Sequence, residues 1–270
     1  MKDLLTVPYT MMNIYFYQVN QADLTAHAEA YLALLPPWRT ERYHRMKIES
    51  GKLEELAAGL LLRYALRDGA GIDLLTAEVT QNPHGKPGLS LPPSGKPGLI
   101  MPPSGKPGLI LPPSGKPGLT QTPHGKLELT LPPGGKPESK IHFNLSHSGG
   151  YIAAVVADCP VGIDVETKSD PDGRVAKRFF SGEEQQAILA AEDPQLAFRR
   201  IWTRKEAYVK CTGTGIDGAI DRIPGLAERF GAYSITTLRE ESAYTLSLAV
   251  QSEDHFDPSR IITHDVEELV

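Results

Sequence analysis

Two carboxylates separated by one residue, Asp164 and Glu166, lie in the apolar run that starts at Val161. In a β-strand, residues i and i+2 leave the same face, so both carboxylates are expected on one side of the chain. Two negative charges at that distance repel each other unless a cation lies between them. Carboxylate ligands without histidine or cysteine are typical of Mg²⁺, which also takes phosphate and water ligands. The pair therefore indicates a candidate magnesium site, which a third carboxylate would strengthen.

Glu206 is the candidate for that third carboxylate. It lies in the middle of a helical, otherwise core-like stretch, with Trp202 at i−4 and Lys210 at i+4. An exposed Glu–Lys pair, worth about 0.2–0.5 kcal/mol, is the simpler interpretation of this spacing. Lys205 beside Glu206 favours instead a group that binds a metal ion and a phosphate together.

A basic segment near the N-terminus supplies a second set of candidate phosphate ligands. Arg39, Arg42 and Arg45 follow one another at steps of three, which places them on one broad helix face. A guanidinium group matches the geometry of phosphate oxygens. A solvated helix surface is the alternative interpretation.

The elements predicted to position these residues include both strands and helices. Apolar runs predict strands at 12–19, 77–80, 151–158, 161–165, 232–238 and 243–250, and helical periodicity predicts helices at 23–35, 53–67, 182–192 and 194–211. Pro36 and Pro37 are expected to end the first helix, and Asp68-Gly69 the second. Ser181 and Glu184 form a capping box for the third. Residues 143–148 are predicted as a polar turn, and no element is assigned to the acidic end at 263–270.

Residues 82–141 contain six units of ten residues, each with Gly-Lys at the same two positions. A ten-residue unit with two or three apolar positions buries little surface. The preferred interpretation is a tandem duplication of one turn, looped out from the domain and weakly ordered.

Taken together, five stretches resemble the 4′-phosphopantetheinyl transferases of the Sfp type. They are Gly-Lys-Pro at 85–87, Phe-Asn-Leu-Ser-His-Ser at 143–148, Gly-Ile-Asp-Val-Glu at 162–166, Arg-Phe-Phe-Ser at 178–181 and Trp-Thr-Arg-Lys-Glu-Ala-Tyr-Val-Lys at 202–210. The resemblance implies an α+β fold of two similar α/β subdomains related by a pseudo-twofold axis. The halves would be 1–148, with the repeat at 82–141 inserted in it, and 149–270, which carries the metal site.

The family transfers the 4′-phosphopantetheine group of coenzyme A to a serine of an apo acyl or peptidyl carrier protein and releases adenosine 3′,5′-bisphosphate. The resemblance implies that Asp164, Glu166 and Glu206 hold Mg²⁺. Glu206, or a water that it orients, would take the proton from the serine hydroxyl. His147 and Lys205 would complete the catalytic group.

The resemblance also implies the residues that bind coenzyme A: Arg39, Arg42, Lys86, Pro87, Ser146, His147, Lys205 and Lys210. The two arginines would reach its 3′-phosphate, and Lys86 would lie near the nucleotide. Lys136 is the rival of Lys86, because its repeat unit leads directly into Phe143. One departure from the family is Leu56, which stands where a polar or basic residue is common.

The bulk composition is that of an ordinary globular protein of 270 residues, with 40% hydrophobic and 23% charged residues. The net charge of −5 gives no general attraction to nucleic acid or to an anionic membrane. The two cysteines, Cys159 and Cys211, lack metal-like spacing, so a reducing cytoplasm is expected. No segment approaches the roughly 20 apolar residues of a membrane span, and the first ten residues do not resemble a signal peptide. We expect a cytoplasmic monomer whose partners are coenzyme A and a carrier protein.

Other functions were weighed against this one. Ser146-His147 could suggest a hydrolase, but no Gly-x-Ser-x-Gly motif is present and adjacent residues of an extended chain point apart. His142 and His147 have no third zinc ligand at a sensible spacing. A non-catalytic interaction module is the main alternative, since proline-rich segments can recruit partners.

Overall fold

The computed structural model describes residues 12–76, 78–81, 87–90, 118–121, 127–130, 142–214, 220–251 and 262–270. These residues form a mixed α+β fold. The helices are α1 (Gln21–Ala26), α2 (Ala28–Leu32), α3 (Pro37–Arg45), α4 (Glu49–Ala70), α5 (Arg174–Phe179), α6 (Gly182–Ala190) and α7 (Pro194–Thr212), with 3₁₀ turns at Leu74–Thr76 and Ile220–Arg222. No helix of the described part combines the length and apolarity needed to cross a membrane.

The strands form three sheets of four strands each within the described residues. The first sheet has the order β12-β1-β7-β6, made of β12 (Ile262–Asp265), β1 (Met12–Gln18), β7 (Tyr151–Ala157) and β6 (His142–Ser148). The second has the order β8-β11-β10-β9, made of β8 (Val161–Glu166), β11 (Thr245–Gln251), β10 (Tyr233–Glu240) and β9 (Arg229–Phe230). The third has the order β2-β3-β4-β5, made of β2 (Glu78–Gln81), β3 (Pro87–Ser90), β4 (Gly118–Gln121) and β5 (Leu127–Thr130).

One long helix packs against each of the first two sheets, and a shared apolar layer joins the sheets. The leucine-rich face of α4 packs on one side of the first sheet, beside Tyr15 and Val156. The opposite side of that sheet contributes Ile14 and Val155 to a cluster with Ile163 of the second sheet. The far side of the second sheet packs on Ala207 and Cys211 of α7. The layers therefore follow the order α4, first sheet, second sheet, α7.

Gly162 brings α7 unusually close to β8. A Cβ atom built at this position would lie under 3.0 Å from the carbonyl oxygen of Ala207 and from the backbone of Cys211. Helix and strand backbones therefore touch where only glycine fits. This contact sets the carboxyl end of β8 directly beside the segment of α7 that carries Glu206 and Lys210.

Several predicted boundaries differ from the observed ones. The helix predicted at 23–35 is divided at His27 into α1 and α2, and Pro37, expected to end it, is the first residue of α3. Proline is favoured at a helix N-terminus because its missing N–H would be unpaired there. Helix α4 passes the predicted stop and ends at Gly71, whose φ of 66° is left-handed. Gly69 stays helical because it lies against Tyr15 and Val156.

Residues 143–148, predicted as a turn, form most of β6 instead. The turn is Gly149-Gly150, where both φ angles are positive, and it returns the chain as β7, antiparallel to β6. Strand β7 therefore belongs to the first sheet, although its residues follow the predicted boundary between the two halves at residue 148. The acidic end also joins this sheet, since β12 pairs in parallel with β1.

Parts of the repeat segment form regular structure, which the looped-out interpretation did not include. Strands β3, β4 and β5 come from residues 82–141 and pair antiparallel with one another and with β2. The remaining residues of the repeat, including Lys86 and Lys136, lie outside the described part of the chain.

Candidate active site

An open cleft of about 300 Å³ lies where β6, β8 and α7 meet. Its lining is Leu145, Ser146, His147, Asp164, Val165, Glu166, Trp202, Glu206 and Lys210. Six of the residues predicted to bind a metal or coenzyme A are in this list: Ser146, His147, Asp164, Glu166, Glu206 and Lys210. Segments far apart in the sequence thus contribute to one site.

The three predicted metal ligands line the same cleft. Asp164 and Glu166 come from β8, as their spacing predicted, and Glu206 comes from the part of α7 beside it. The Asp164 and Glu206 side chains are buried, with 6% and 8% of their surface exposed. Burial of several carboxylates in one place is costly without a compensating cation.

Lys210 supplies a cation within the cleft. Its Nζ lies 2.6 Å from Oδ1 of Asp164 and donates a hydrogen bond of 2.8 Å to Oγ of Ser146. The same Ser146 hydroxyl donates to Oδ1 of Asp164 at 2.8 Å. Lys210 therefore contacts Asp164 of β8 and Ser146 of β6, and does not form the exposed pair with Glu206 that was the simpler interpretation of the sequence.

The environment of Glu206 favours its protonated form. Burial, reinforced by the negative charge of Asp164, raises the pKa of Glu206 to about 7. Oε1 of Glu206 is buried and has no hydrogen-bond partner among the described residues. Burial also raises the pKa of Asp164, although Lys210 and Ser146 act in the opposite direction. Asp164 and Glu206 thus have too few positively charged neighbours to offset the effect of burial on their pKa values.

The pKa of Glu206 predicts how the stability of the metal-free protein depends on pH. Because its folded-state pKa of about 7 exceeds the ordinary value of 4.5, the folded protein binds more protons between these pH values. The free energy of unfolding should therefore fall as the pH rises through this window, by up to about 3 kcal/mol at 1.36 kcal/mol per pKa unit.

Glu206→Gln provides the comparison for this prediction, because it removes the titrating group. In urea unfolding with EDTA, the variant should match the wild type at pH 4 and be more stable at pH 8. A difference between the two proteins that stays constant from pH 4 to pH 8 would contradict the assignment.

The three acidic side chains of the cleft offer carboxylate oxygens, the type of ligand that Mg²⁺ prefers. Oδ1 of Asp164 is engaged by Lys210 and Ser146, and Oε1 of Glu166 accepts a 2.5 Å hydrogen bond from Ser148. Oε1 of Glu206 has no hydrogen-bond partner among the described residues and is left for a cation. In the described part of the chain, no three acidic, histidine or cysteine side chains are yet grouped closely enough to hold a metal ion. The Lys210 ammonium lies against Oδ1 of Asp164, beside the position that a bound cation would take.

His147 is held by a residue that the sequence analysis did not place in the site. Its Nδ1 lies 3.1 Å from Oε2 of Glu54, while Oε1 of the same carboxylate accepts the backbone N–H of Gly150 at 2.9 Å. Ser146 and His147 point apart, as expected for neighbours in a strand, with Ser146 toward β8 and His147 toward α4. The contact between Glu54 and His147 joins residues 93 positions apart and has no local sequence signal.

Lys205 is not brought into the cleft. Its side chain is fully buried, and Nζ lies 2.9 Å from Oε2 of Glu184. Nζ also donates to the carbonyl oxygens of Phe179 and Ile220. Glu184 itself caps α6 through the predicted box with Ser181, which is confirmed. A phosphate would have to displace Glu184 to reach Lys205, so the predicted catalytic and phosphate roles of Lys205 stay predictions.

Removing the Lys205 ammonium should destabilise the protein strongly. Lys205→Ala leaves the Glu184 carboxylate buried without its cation, which typically costs about 3–5 kcal/mol. The free energy of unfolding, measured by chemical denaturation, should fall accordingly. Lys177→Ala, at an exposed position of α5, is the control and should change it by less than about 0.5 kcal/mol. Equal stability of Lys205→Ala and the wild type would exclude a structural role for this ion pair.

The predicted ligands of the first half are in different situations. Arg39 is buried and pairs with Glu55, and Nε of Arg42 lies 2.9 Å from the other oxygen of Glu55. Neither arginine lines the cleft, because Glu55 on α4 holds both. Lys86 lies outside the described residues, and Pro87 begins β3. The proposed contacts of these four residues with coenzyme A stay predictions.

Comparison with known proteins identifies the part of the chain that carries most of this cleft. Residues 160–262 match the family model of the 4′-phosphopantetheinyl transferase superfamily. The match contains Asp164, Glu166, Glu206 and Lys210. Over residues 160–262, called the superfamily segment below, the chain is similar to the 4′-phosphopantetheinyl transferase superfamily. The predicted resemblance is thereby confirmed.

Proteins that match part of the chain include named 4′-phosphopantetheinyl transferases. The chain is 38% identical over 129 residues to psf-1 of Bacillus pumilus, which is 47% of this chain and 48% of the relative. It is 33% identical over 96 residues to Sfp of Bacillus subtilis (strain 168), which is 35% of this chain and 43% of the relative. It is 45% identical over 85 residues to HetI of a Nostoc species, which is 29% of this chain and 35% of the relative. The matches thus span about half the length of these relatives or less.

Proposed function

We propose that this protein transfers the 4′-phosphopantetheine group of coenzyme A to a serine of an apo acyl or peptidyl carrier protein and releases adenosine 3′,5′-bisphosphate. The observation that carries the proposal is the meeting of Asp164, Glu166 and Glu206 in one cleft beside Lys210. All four residues fall in the superfamily segment. Relatives that match the chain are themselves named 4′-phosphopantetheinyl transferases.

Asp164, Glu166 and Glu206 would hold Mg²⁺ in the working enzyme, with coenzyme A as the co-substrate. When bound, the ion supplies Lewis-acid stabilisation of the negative charge on the pyrophosphate. The support for this assignment is chemical: the three side chains offer only carboxylate oxygens, and the buried Oε1 of Glu206 has no hydrogen-bond partner within the described part of the chain.

The residues of the chain would perform the remaining steps. The Lys210 ammonium would neutralise a phosphate of coenzyme A after exchanging its contact with Asp164 for that phosphate. Glu206, directly or through a water, would accept the proton of the attacking serine hydroxyl. A general base of this kind must lie within hydrogen-bond reach of the hydroxyl, directly or through one water.

The remaining predicted ligands complete the proposal for coenzyme A. His147 lines the cleft with Nδ1 held by Glu54, which leaves Nε2 for a phosphate oxygen, and Ser146 lies beside it. The other proposed ligands of coenzyme A are Arg39, Arg42, Lys86, Pro87 and Lys205. Lys205 is also proposed as a catalytic residue. The first two would have to share their guanidinium groups with Glu55.

The finer architecture is also part of the proposal. Each of the first two sheets carries one long helix on its outer side, α4 on the first and α7 on the second. This repetition supports two similar halves related by a pseudo-twofold axis, with coenzyme A between them. We propose that the protein is a cytoplasmic monomer; Cys159 and Cys211 form no disulfide, as is usual in a reducing compartment.

Intact-protein mass spectrometry tests the proposed reaction. The full-length chain is incubated with coenzyme A, Mg²⁺ and a panel of apo acyl and peptidyl carrier proteins. The mass of at least one carrier protein should rise by one phosphopantetheine group, and its serine→alanine variant should show no rise. Binding of carrier proteins without any mass gain would favour the interaction-module alternative.

A further inference from the structure

Strand β6 interacts with β8 through side chains. Strand β8 is an edge strand of the second sheet, and on its free side the N–H groups of alternate residues face β6. Asn144 Oδ1 accepts the N–H of Ile163 at 2.9 Å. Ser146 Oγ accepts that of Val165 and Ser148 Oγ that of Thr167, both at 3.2 Å. The polar residues at every second position of β6 therefore satisfy an otherwise open strand edge.

Each of the two serines also donates its hydroxyl proton to a carboxylate of β8. Ser146 donates to Oδ1 of Asp164 at 2.8 Å, and Ser148 donates to Oε1 of Glu166 at 2.5 Å. The pattern is the same in both cases. The serine accepts the N–H of one residue, Val165 in β8 or Thr167 directly after it, and binds the carboxylate of the residue before that one. The two carboxylates of the cleft are thus held by equivalent contacts, two residues apart on both strands.

The contact with Glu166 fixes one oxygen of that carboxylate. Oε1 accepts hydrogen bonds from the Ser148 hydroxyl, from the N–H of Thr167 at 2.9 Å and from the N–H of Lys168 at 2.8 Å. Oε2 is then the oxygen available to a ligand in the cleft. Ser148 itself is 94% buried and does not line the cleft, so it acts on a ligand only through Glu166.

We propose that Ser148 is a positioning residue, which orients the Glu166 carboxylate so that Oε2 faces a bound Mg²⁺. The inference rests on the proposed function, because it assumes that Glu166 is a metal ligand. Hydrogen-bond partners of metal ligands fix their orientation, and their loss typically weakens metal binding by about 10–100-fold. Ser148 lies on β6, whereas the proposed ligands lie on β8 and α7, so its role depends on the packing of β6 against β8.

Replacing Ser148 by alanine should leave folding almost unchanged, which makes the proposal testable. The N–H of Thr167 keeps its 2.9 Å bond to Oε1 of Glu166, so no buried backbone donor loses every partner. The carboxylate keeps two backbone donors but loses the short hydroxyl contact that orients it from the side of β6. The expected effect therefore falls on the metal rather than on the fold.

The test is isothermal titration calorimetry of Mg²⁺ into the full-length chain saturated with coenzyme A. We expect Ser148→Ala to raise the dissociation constant for Mg²⁺ about tenfold. The matched control is Ser234→Ala, which removes an equally buried serine hydroxyl from β10, two strands away from β8, and should leave the constant unchanged. In the transfer reaction, Ser148→Ala should raise the KM for Mg²⁺ by a similar factor and keep kcat at saturating Mg²⁺ within about threefold.

The possible outcomes separate this inference from the function on which it rests. Unchanged Mg²⁺ affinity in Ser148→Ala, with normal binding by the wild type, would overturn the positioning role alone. Equal losses in Ser148→Ala and Ser234→Ala would show a general effect on the fold and would also overturn it. Absence of Mg²⁺ binding by the wild type would overturn the metal assignment of the proposed function and this inference together.

Discussion

Glu206→Gln is expected to reduce transfer of phosphopantetheine by about 10³-fold or more, which combines the loss of a general base with the loss of a metal ligand. Glutamine has the shape of glutamate but neither its charge nor its basicity. Since Oε1 of Glu206 has no hydrogen-bond partner among the described residues, the substitution breaks no contact seen at that atom. The variant should therefore remain folded. The measurement is single-turnover transfer to an apo carrier protein, followed by mass spectrometry.

A matched control for Glu206→Gln is Glu183→Gln, which makes the same chemical change at an exposed position of α6. Glu183 does not line the cleft, so transfer should stay within about twofold of the wild type. Circular dichroism of both variants should match the wild type. Transfer by Glu206→Gln within tenfold of the wild type would remove Glu206 from the catalytic group.

Gly162→Val is expected to prevent stable folding of the second half of the protein. Even a single Cβ atom at this position would overlap the backbone of Ala207 and Cys211. Backbone atoms cannot move aside as a flexible side chain does, so α7 would have to shift away from β8. Gly162→Ala should already lower the free energy of unfolding by about 3 kcal/mol or more. Thermal and chemical denaturation of the purified variants measure the effect.

Gly182→Ala is the control for this prediction, because a Cβ atom at Gly182, the first residue of α6, would have no neighbour within 4 Å. Its stability should equal or slightly exceed that of the wild type, since alanine favours the helix. If Gly162→Ala were as stable as Gly182→Ala, the close approach of α7 to β8 would be refuted. Residual soluble Gly162→Ala should show weakened transfer, since Glu206 and Lys210 would move with the helix.

The part of the site on β8 and α7 was largely predictable, because the sequence patterns that indicate it are local. The spacing of Asp164 and Glu166 in an apolar run correctly indicated a strand with both carboxylates on one side. Helical periodicity placed Glu206 and Lys210 on a long helix, as observed. The meeting of strand and helix depends on the backbone contact at Gly162, which no local pattern indicates.

The partners of the charged residues could not be predicted, because each pair joins distant segments. Glu54 holds His147 across 93 residues of sequence, and Glu184 holds Lys205 across two helices. Periodicity and motifs report which residue types are present, whereas these contacts depend on how α4 and α6 pack. Phosphate ligands predicted from residue type alone therefore include side chains that the fold has already paired.

Strand β6 shows a signal that was available but not used. Phe143 and Leu145 alternate with Asn144, Ser146 and Ser148, which is the period-two pattern of a strand with one polar side. The polar composition favoured a turn instead. These residues can remain in a strand because their side chains face the edge of β8 and satisfy its N–H groups.

The most direct test of the account is the mass of an apo carrier protein after incubation with coenzyme A under three conditions. Wild-type protein with Mg²⁺ should add one phosphopantetheine group to the carrier serine. Wild-type protein with EDTA, and Glu206→Gln with Mg²⁺, should add essentially none in the same time. Transfer that persists in EDTA and in Glu206→Gln would contradict the assignment of the three carboxylates as the metal-binding catalytic centre.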